Sequence, residues 1–281
     1  MKLILKIIIS IVVLSIVTIV TISLINFTKR EYNSNIKRLE EAYVLNDLEE
    51  ITEDDLIGLP DSVKNYLNYV GVVGTNKVHH FKADLSLEFK ATRDGEFVDG
   101  KALQTSYINP ATRLFYMTLK MNGLKVVGLH HFENAEATMK IKLLDILTVT
   151  NAYGIEMNKA ETVTMFNDMC LLAPSTLIDE RISWEEIDQY HVRGTFINQG
   201  ISISAILTFD ESYRLINFYS EDRYYANSNG EMEQVPWSTP ITEYKLNNGL
   251  NLPYYGSAIW HFETEDYTYI KMYIKNITFN G

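Results

Sequence analysis

The chain has 281 residues, of which 46% are hydrophobic, and it carries a formal net charge of −11 at pH 7. A chain of this length buries a full hydrophobic core, and its acidic balance argues against nucleic acid as a partner, because phosphate neutralisation requires clustered Lys and Arg. Its single cysteine, Cys170, excludes an internal disulfide and a zinc site built from several cysteines.

The amino-terminal segment is predicted to anchor the chain in a membrane. Residues 7–25 run for 19 positions without a charged side chain, which at helical rise spans roughly the 30 Å hydrocarbon core of a bilayer. A cleaved signal peptide is the alternative, but such peptides have a shorter apolar region and a small-residue cleavage site, and no alanine precedes Ala42. We therefore expect residues 1–27 to form a transmembrane signal anchor.

The orientation of this anchor is not decided by charge alone, because basic residues lie on both sides of the apolar run. An uncleaved signal-like segment at the start of a chain usually inserts with its amino terminus in the cytoplasm. The prediction is a single-pass protein of the bacterial cell membrane, with the bulk of the chain outside the cytoplasm. A protein partner cannot be named from the sequence.

Residues 28–58 are predicted to form a stalk, and residues 59–281 a single domain. The stalk sequence is rich in charged residues and good helix formers, which indicates a helix, with a flexible acidic tether as the alternative. Pro60 and Gly71 bracket an amphipathic stretch, as is typical of a short helix near 60–71.

Beyond Lys77 the hydrophobic pattern has the two-residue period of β-strands. In "FKADLSLEF" the alternate residues from Phe81 to Phe89 are apolar, which predicts a strand with one face in the core. The same alternation returns in "LFYMTLKM", "ISISAILTF" and "LPYYGSAIWHF". Turn sequences such as "RDGE", "NG", "INQG", "NSNG" and "LNNG" separate these stretches, which indicates an antiparallel meander.

One segment has helical spacing instead. Apolar residues recur at three- and four-residue intervals before Pro174, which predicts a helix near 158–172 in an otherwise β chain. A sheet with one such helix buries both apolar faces by curling over it. We predict a mainly β, α+β fold, in which a strongly curved antiparallel sheet or half barrel wraps over one or two helices.

Several of these stretches, taken in order, resemble a known family. The series is "LPDSVKNYLNYVG", "NPATRLFYMTLKMNGLKVVG", "AETVTMFNDMCLLAPSTL", "ISWEEID", "LTFDESYRLINFYSEDRYY" and "PWSTPITEYKLNNGLNLPYYGSAIWHF". It is similar to the bacterial domain-of-unknown-function family 6544, over roughly Leu59 to Phe262. At the level of the fold, the predicted curved sheet is similar to lipoprotein carrier and sorting proteins of the LolA and LppX type, whose half barrels hold acyl chains.

The family resemblance implies a set of spaced residues but no activity. The family pattern has a helix with a Glu, then a Pro, a Trp, a Pro-Trp pair, a Tyr and a further Trp. These are matched here by Glu161, Pro174, Trp184, Pro236, Trp237, Tyr244 and Trp260. The chain departs from the pattern after the fourth strand, where "LHHFENA" stands in place of a D-x-Y-like segment. The histidines are therefore not part of the family pattern.

Two histidine pairs raise the question of a metal site. If the strand phase of Phe81 continues backward, His79 faces inward, and His130 has the same relation to Phe132. These two are the candidate ligands, but the sequence has no HExxH or His-x-His spacing to complete a site. We predict no metal and no cofactor, and satisfied or exposed histidines.

Glu161 is the candidate polar residue of a ligand site. It precedes an apolar helical stripe, so its carboxylate is expected beside the apolar face, where burial would raise its pKa. The other interpretation, which we prefer, is a first-turn Glu that interacts with the amino end of the helix and pairs with an arginine. The leading hypothesis is a site for an apolar or lipid-like ligand in the sheet concavity, lined by Glu161, Met165, Met169, Trp184, Trp237 and Trp260.

Two other functions remain open. The first is an envelope hydrolase with Glu161 as the acid or base, although no second catalytic group can be located. The second is a non-catalytic scaffold for other membrane proteins. The sequence contains no GxSxG, no Walker loop and no arrangement around its cysteine that would favour nucleophilic catalysis.

Overall fold

The computed structural model describes residues 4, 6–12, 14–15, 26–43, 48–227 and 231–281. Within these ranges, no helix is both long and apolar enough to cross a bilayer. Residues 13 and 16–25, which make up more than half of the expected 7–25 span, lie outside the described part of the chain, as do residues 228–230 of the expected "NSNG" turn. The anchor therefore stays a prediction.

Three α-helices lie within the described part of residues 26–281. They are α1 (Phe27–Ala42), α2 (Asp61–Val70) and α3 (Ile155–Leu171), with shorter 3-10 turns at Glu53–Leu56 and Pro174–Ile178. The helices expected near 60–71 and 158–172 correspond to α2 and α3. Gly71 ends α2 in the left-handed conformation, at φ +85°, which glycine adopts without steric cost.

The rest of the domain is built from antiparallel strands. They are β1 (His80–Phe89), β2 (Val98–Tyr107), β3 (Thr112–Met121), β4 (Leu124–Glu133), β5 (Glu136–Leu143), β6 (Leu147–Tyr153), β7 (Ile182–Asp188), β8 (His191–Asn198), β9 (Ile201–Phe209), β10 (Leu215–Ser220), β11 (Tyr224–Ala226), β12 (Met232–Gln234), β13 (Trp237–Ser238), β14 (Ile241–Asn247), β15 (Leu250–His261) and β16 (Asp266–Phe279).

One sheet contains all of these strands except β11 and β12, which form a separate pair. Its order is β6-β5-β4-β3-β2-β1-β16-β15-β13-β10-β9-β8-β7, and β14 pairs with β15. α3 contacts both β5 and β9, which are nine steps apart in this order. In a flat sheet they would be separated by about 43 Å at about 4.8 Å per strand. The sheet must therefore curl into a half barrel around α3, as the sequence predicted.

α3 is buried on nearly all of its surface. Twelve of its residues, among them Glu161, Met165, Phe166, Asp168 and Met169, are buried. A helix that is buried all round is enclosed by the protein instead of resting on its surface. α3 therefore fills most of the concavity, and any ligand must occupy the space that it leaves.

The first helix packs against the convex face of the sheet. Tyr32 and Leu39 of α1 are buried against a small cluster on β2, β3 and β4 that includes Leu114, Tyr116 and Val127. The Asp145 carboxylate accepts hydrogen bonds from the backbone N–H and the hydroxyl of Thr28, near the start of α1, where the helix dipole favours a negative charge.

This position corrects the expected stalk. Residues 28–58 were predicted to form a helical or flexible spacer, and the part from 28 to 42 is indeed helical. It nevertheless lies on the sheet, held by the Arg38–Glu133 and Lys82–Glu40 ion pairs, at 2.5 and 2.8 Å. The physical reason is that alternate residues of β3 face outward and are apolar, so the convex face requires a cover.

Candidate functional site

A buried ionic cluster joins α3 to the concave face of the sheet. Arg113, on β3, lies between two carboxylates of the helix: its Nη1 is 3.2 Å from Glu161 Oε2, and its Nε is 2.6 Å from Asp168 Oδ2. Gln104, on β2, donates a further hydrogen bond of 2.7 Å to the same Asp168 oxygen. His130 Nδ1 lies 3.2 Å from Glu161 Oε1.

Local structure explains how these groups meet. Glu161 and Asp168 are seven residues apart, which places them on one face of a helix, about 10 Å apart along its axis at 1.5 Å per residue. On β3, Arg113 shares the concave face with Phe115, whereas Leu114 faces outward toward α1. One guanidinium can therefore bridge both carboxylates.

A second arginine approaches Glu161 from the opposite side of the half barrel. Arg223 Nη1 donates to the Ala160 carbonyl at 2.8 Å and lies 3.9 Å from Glu161 Oε1. Its guanidinium carbon lies 4.7 Å from the ring centroid of Trp237 and 5.6 Å from that of Trp260, in cation–π geometry. The two tryptophans thus hold the arginine against the helix.

The charges around Glu161 keep it ionised. Burial by itself would raise the pKa of Glu161, but Arg113, His130 and Arg223 outweigh burial and lower it to about 2. Of the two interpretations of Glu161, the structure agrees with the preferred one, a carboxylate paired with arginine, and not with a raised pKa. A carboxylate this acidic is ionised near neutral pH and does not act as a proton donor there.

Asp168 shows the opposite balance. Burial raises the pKa of Asp168 above its usual range, despite the opposing effects of Arg113 and Gln104. The two carboxylates therefore share a cation but differ in how well they are compensated, since Glu161 also has His130 and Arg223 beside it. Both carboxylates are bound to protein groups, so neither is a free acceptor for a ligand.

An open cavity lies at the carboxyl-terminal end of α3. It has an atom-free volume of about 590 Å³, which includes the open space at its mouth. Its walls are mainly apolar, half of its lining residues belong to β14, β15 and β16, and the buried side chains of Gln104, Arg113, Asn167 and Asp168 close its inner end. The lining residues are Leu85, Gln104, Arg113, Asn167, Asp168, Leu171, Leu172, Thr239, Pro240, Ile241, Pro253, Tyr254, Tyr255, Gly256, Ser257, Ala258, Met272 and Ile274.

The six residues predicted to line a ligand site do not line this cavity. Met165 and Met169 are fully buried in the main core, and Trp184, on β7, packs against Phe166 with ring centroids 6.2 Å apart. Glu161, Trp237 and Trp260 meet around Arg223, as described above. The structure therefore brings three of the six together and places the other three elsewhere in the core.

The candidate metal ligands also have different surroundings. His79 is exposed and precedes the first strand, whereas His80 is buried, stacks on Tyr107 and has its Nε2 3.2 Å from the Gly281 carbonyl oxygen. The inward orientation expected for His79 was wrong, because the strand alternation does not extend before His80. Among the described residues, no group of three or more His, Cys, Asp or Glu side chains is placed to hold a metal.

Sequence reasoning missed the partners of the ionic cluster and the walls of the cavity. The signals were present for Asp168, at helical spacing from Glu161, and for Arg113, which stands at an inward position of a strand. No comparable signal marks Arg223 or the β15 and β16 residues of the cavity, because their positions depend on how far the sheet curls.

Comparison with known proteins identifies the family. A family model described as "Family of unknown function (DUF6544)" matches residues 49–272. The chain belongs to this family, which confirms the resemblance inferred from its spaced motifs. A search among curated proteins finds no match.

Three solved structures are similar to this chain. A putative outer membrane lipoprotein-sorting protein domain from Vibrio parahaemolyticus is 10% identical, with 72% of this chain and 85% of that chain covered and a TM-score of 0.39. A DUF1329 family protein from Desulfovibrio piger is 8% identical, with 78% and 92% covered and a TM-score of 0.40. A LolA superfamily protein from Nitrosomonas europaea is 8% identical, with 78% and 92% covered and a TM-score of 0.34.

Proposed function

We propose that this protein binds an apolar ligand, such as an acyl chain, in the cavity at the end of α3. The observation that supports this proposal is a cavity with an open mouth and mainly apolar walls at the end of the central helix. Ligand cavities in proteins are typically lined by apolar side chains with a few polar groups.

The inner end of the cavity supports an apolar ligand over a polar one. Asp168 accepts from Arg113 and Gln104, and Asn167 accepts from the Thr239 hydroxyl at 2.6 Å. These groups are engaged with one another, so a polar ligand would have to replace existing hydrogen bonds. An apolar chain gains roughly 25 cal/mol for each Å² of its surface that it buries, without breaking any of them.

A cavity-filling substitution tests this proposal. Ala258 is 1% exposed and lines the cavity, so Ala258→Leu would place three further carbon atoms in it. We expect full-length protein purified in detergent to carry acyl lipid, and Ala258→Leu to carry at least about fivefold less, because the added side chain occupies the ligand's space. Solvent extraction followed by quantitative mass spectrometry measures the acyl lipid per chain.

A volume-conserving variant provides the control. Met272→Leu changes the cavity wall with little change in volume and is expected to retain the lipid. Lipid that associates with any membrane protein in detergent would be equal in both variants. An equal lipid content in the parent and Ala258→Leu, with all three proteins folded by circular dichroism, would contradict the proposal.

We further propose that residues 7–25 anchor the protein in the cell membrane, with the domain outside the cytoplasm. The support is the uncharged run of 19 residues in the sequence. The anchor would hold a lipid-binding cavity close to its source of ligand. Full-length protein should remain with the membranes after alkaline carbonate washing, and its release into the supernatant would contradict the anchor.

A further inference from the structure

β15 and β16 stop pairing with each other within the wall of the cavity. Their pairing runs from His261 and Asp266 as far as Tyr255 and Tyr273. Leu250–Pro253 of β15 and Ile274–Phe279 of β16 continue in the sheet but pair only with β14 and β1, respectively. We call this unpaired stretch between β15 and β16 the slot; near its far end the Asn248 side-chain amide donates a 3.4 Å hydrogen bond to the Ile277 carbonyl.

A depression on the outer surface adjoins the cavity at this slot. Pro253, Tyr254 and Ile274 line the cavity and the depression alike. The outer depression is also lined by Lys245 and Lys275. Two cationic side chains therefore lie beside the residues that the cavity and the outer depression share.

The two lysines converge on one tyrosine. Lys245 Nζ lies 3.2 Å from the ring centroid of Tyr254, and Lys275 Nζ lies 5.8 Å from the same centroid. Hydrogen bonding and charge from Lys245, followed by the charge of Lys275, hold the pKa of the Tyr254 hydroxyl below its usual range. The positive potential of the two lysines therefore acts on Tyr254, which lines both the cavity and the outer depression.

Carboxylates do not neutralise this pair. The neighbouring Lys271 lies 3.1 Å from a Glu88 oxygen, but within the described residues no such ion pair is formed by Lys245 or Lys275. The protein as a whole has a net charge of −11, so carboxylates that could pair with two exposed lysines are abundant. Two adjacent lysines that pair with no carboxylate are complementary to an external anion.

We infer that the ligand is an amphiphile whose acyl chain passes through the slot into the cavity and whose anionic head group lies between Lys245 and Lys275. This inference rests on the proposed function and specifies its ligand class. An ammonium group contacts a carboxylate or phosphate as a compact charge, so a fatty acid and an anionic phospholipid share the required chemistry. Burial of the acyl chain and pairing of the head group with the lysines then both contribute to the free energy of binding.

The test compares an acid with the matching alcohol. Full-length protein in phosphatidylcholine vesicles is titrated with photoreactive palmitic acid or photoreactive hexadecanol, and the concentration for half-maximal cross-linking is measured. In the double variant Lys245→Gln and Lys275→Gln, we expect this concentration to rise about tenfold for the acid, as for two partly screened charge contacts. We expect no change for the alcohol.

Matched controls separate local charge from net charge. Lys101→Gln with Lys120→Gln removes two exposed lysines of β2 and β3 and should leave both titrations unchanged. In 1 M salt, where the Debye length is about 3 Å, the parent and the slot variant should differ less in the half-maximal concentration of the acid. Displacement of the acid by oleic acid or by phosphatidic acid vesicles shows which source supplies the head group.

The failures of the two proposals differ. Equal half-maximal concentrations of the acid in the parent and the slot variant would overturn the head-group inference, while capture of the alcohol would leave the apolar cavity standing. If the parent captures neither probe, the proposed function itself fails. If the half-maximal concentration rises equally for the acid and the alcohol in the slot variant, the lysines affect only the shape of the slot. The inference of an anionic head group would then also be overturned.

Discussion

The variant Glu161→Gln is expected to unfold with a free energy about 3 kcal/mol lower than that of the parent at pH 7. A pKa lowered from 4.5 to about 2 corresponds to roughly this energy, at about 1.4 kcal/mol for each pKa unit. Removing one partner of a buried ion pair typically costs about 3–5 kcal/mol, because the remaining charges stay buried. Urea unfolding followed by tryptophan fluorescence measures the loss.

The same variant has a defined pH dependence. The pKa of Glu161 is lower in the folded protein than the ordinary value of 4.5, so its contribution to stability is complete above that value. It is lost as the pH falls toward about 2, where the folded protein also binds the proton. The difference in the free energy of unfolding between the parent and Glu161→Gln should therefore be largest at neutral pH. It should decrease as the pH falls from about 4.5 to about 2.

An exposed ion pair serves as the control for this prediction. Glu185 lies 3.5 Å from Arg193 with 73% of its side chain exposed, so Glu185→Gln should change the free energy of unfolding by less than about 1 kcal/mol. Equal stability of Glu161→Gln and the parent at pH 7 would show that the buried cluster does not stabilise the fold.

The variant Met169→Asp is expected not to fold. Met169 is fully buried and lies outside the cavity lining, so the new carboxylate would have no access to water. Burying an unpaired charge costs many kcal/mol, which is comparable with the whole stability of a typical domain, about 5–15 kcal/mol. Circular dichroism and the recovery of soluble or membrane-extracted protein measure the outcome.

This expectation differs from the one that the sequence suggests. If Met169 lined the ligand site, Met169→Asp would abolish lipid binding and leave the domain folded. The matched variant Met169→Leu conserves volume and should cost less than about 1.5 kcal/mol. A folded Met169→Asp protein that has lost its lipid would place the ligand against the middle of α3 instead of at its end.

Local patterns in the sequence predicted the architecture well. Alternation from Phe81 to Phe89 corresponds to β1, and "NG" at 122–123 forms a tight turn in which both residues have positive φ, as the favoured hairpin turns require. The expected central helix is α3, and the curl of the sheet over it was predicted because both apolar faces must be buried. These features depend on short stretches of sequence.

Features that depend on distant contacts were not predicted. The docking of α1 on the convex face follows from outward-facing Leu114 and Tyr116, whose burial cannot be read from α1 itself. The site was placed at the middle of α3 because Met165 and Met169 form an apolar stripe, but the curled sheet covers that stripe completely. The space that remains lies where β15 leaves β16, which depends on the register of both strands.

The location of a bound acyl chain is the most direct test of the central claim. Full-length protein in native membranes is exposed to photoreactive palmitic acid, irradiated and digested, and the cross-linked residues are identified by mass spectrometry. We expect cross-links within 253–258 and 272–274, the walls of the cavity and its slot. Cross-links concentrated at Met165, Met169 or Trp184, or none above those of an unrelated membrane protein, would contradict the account.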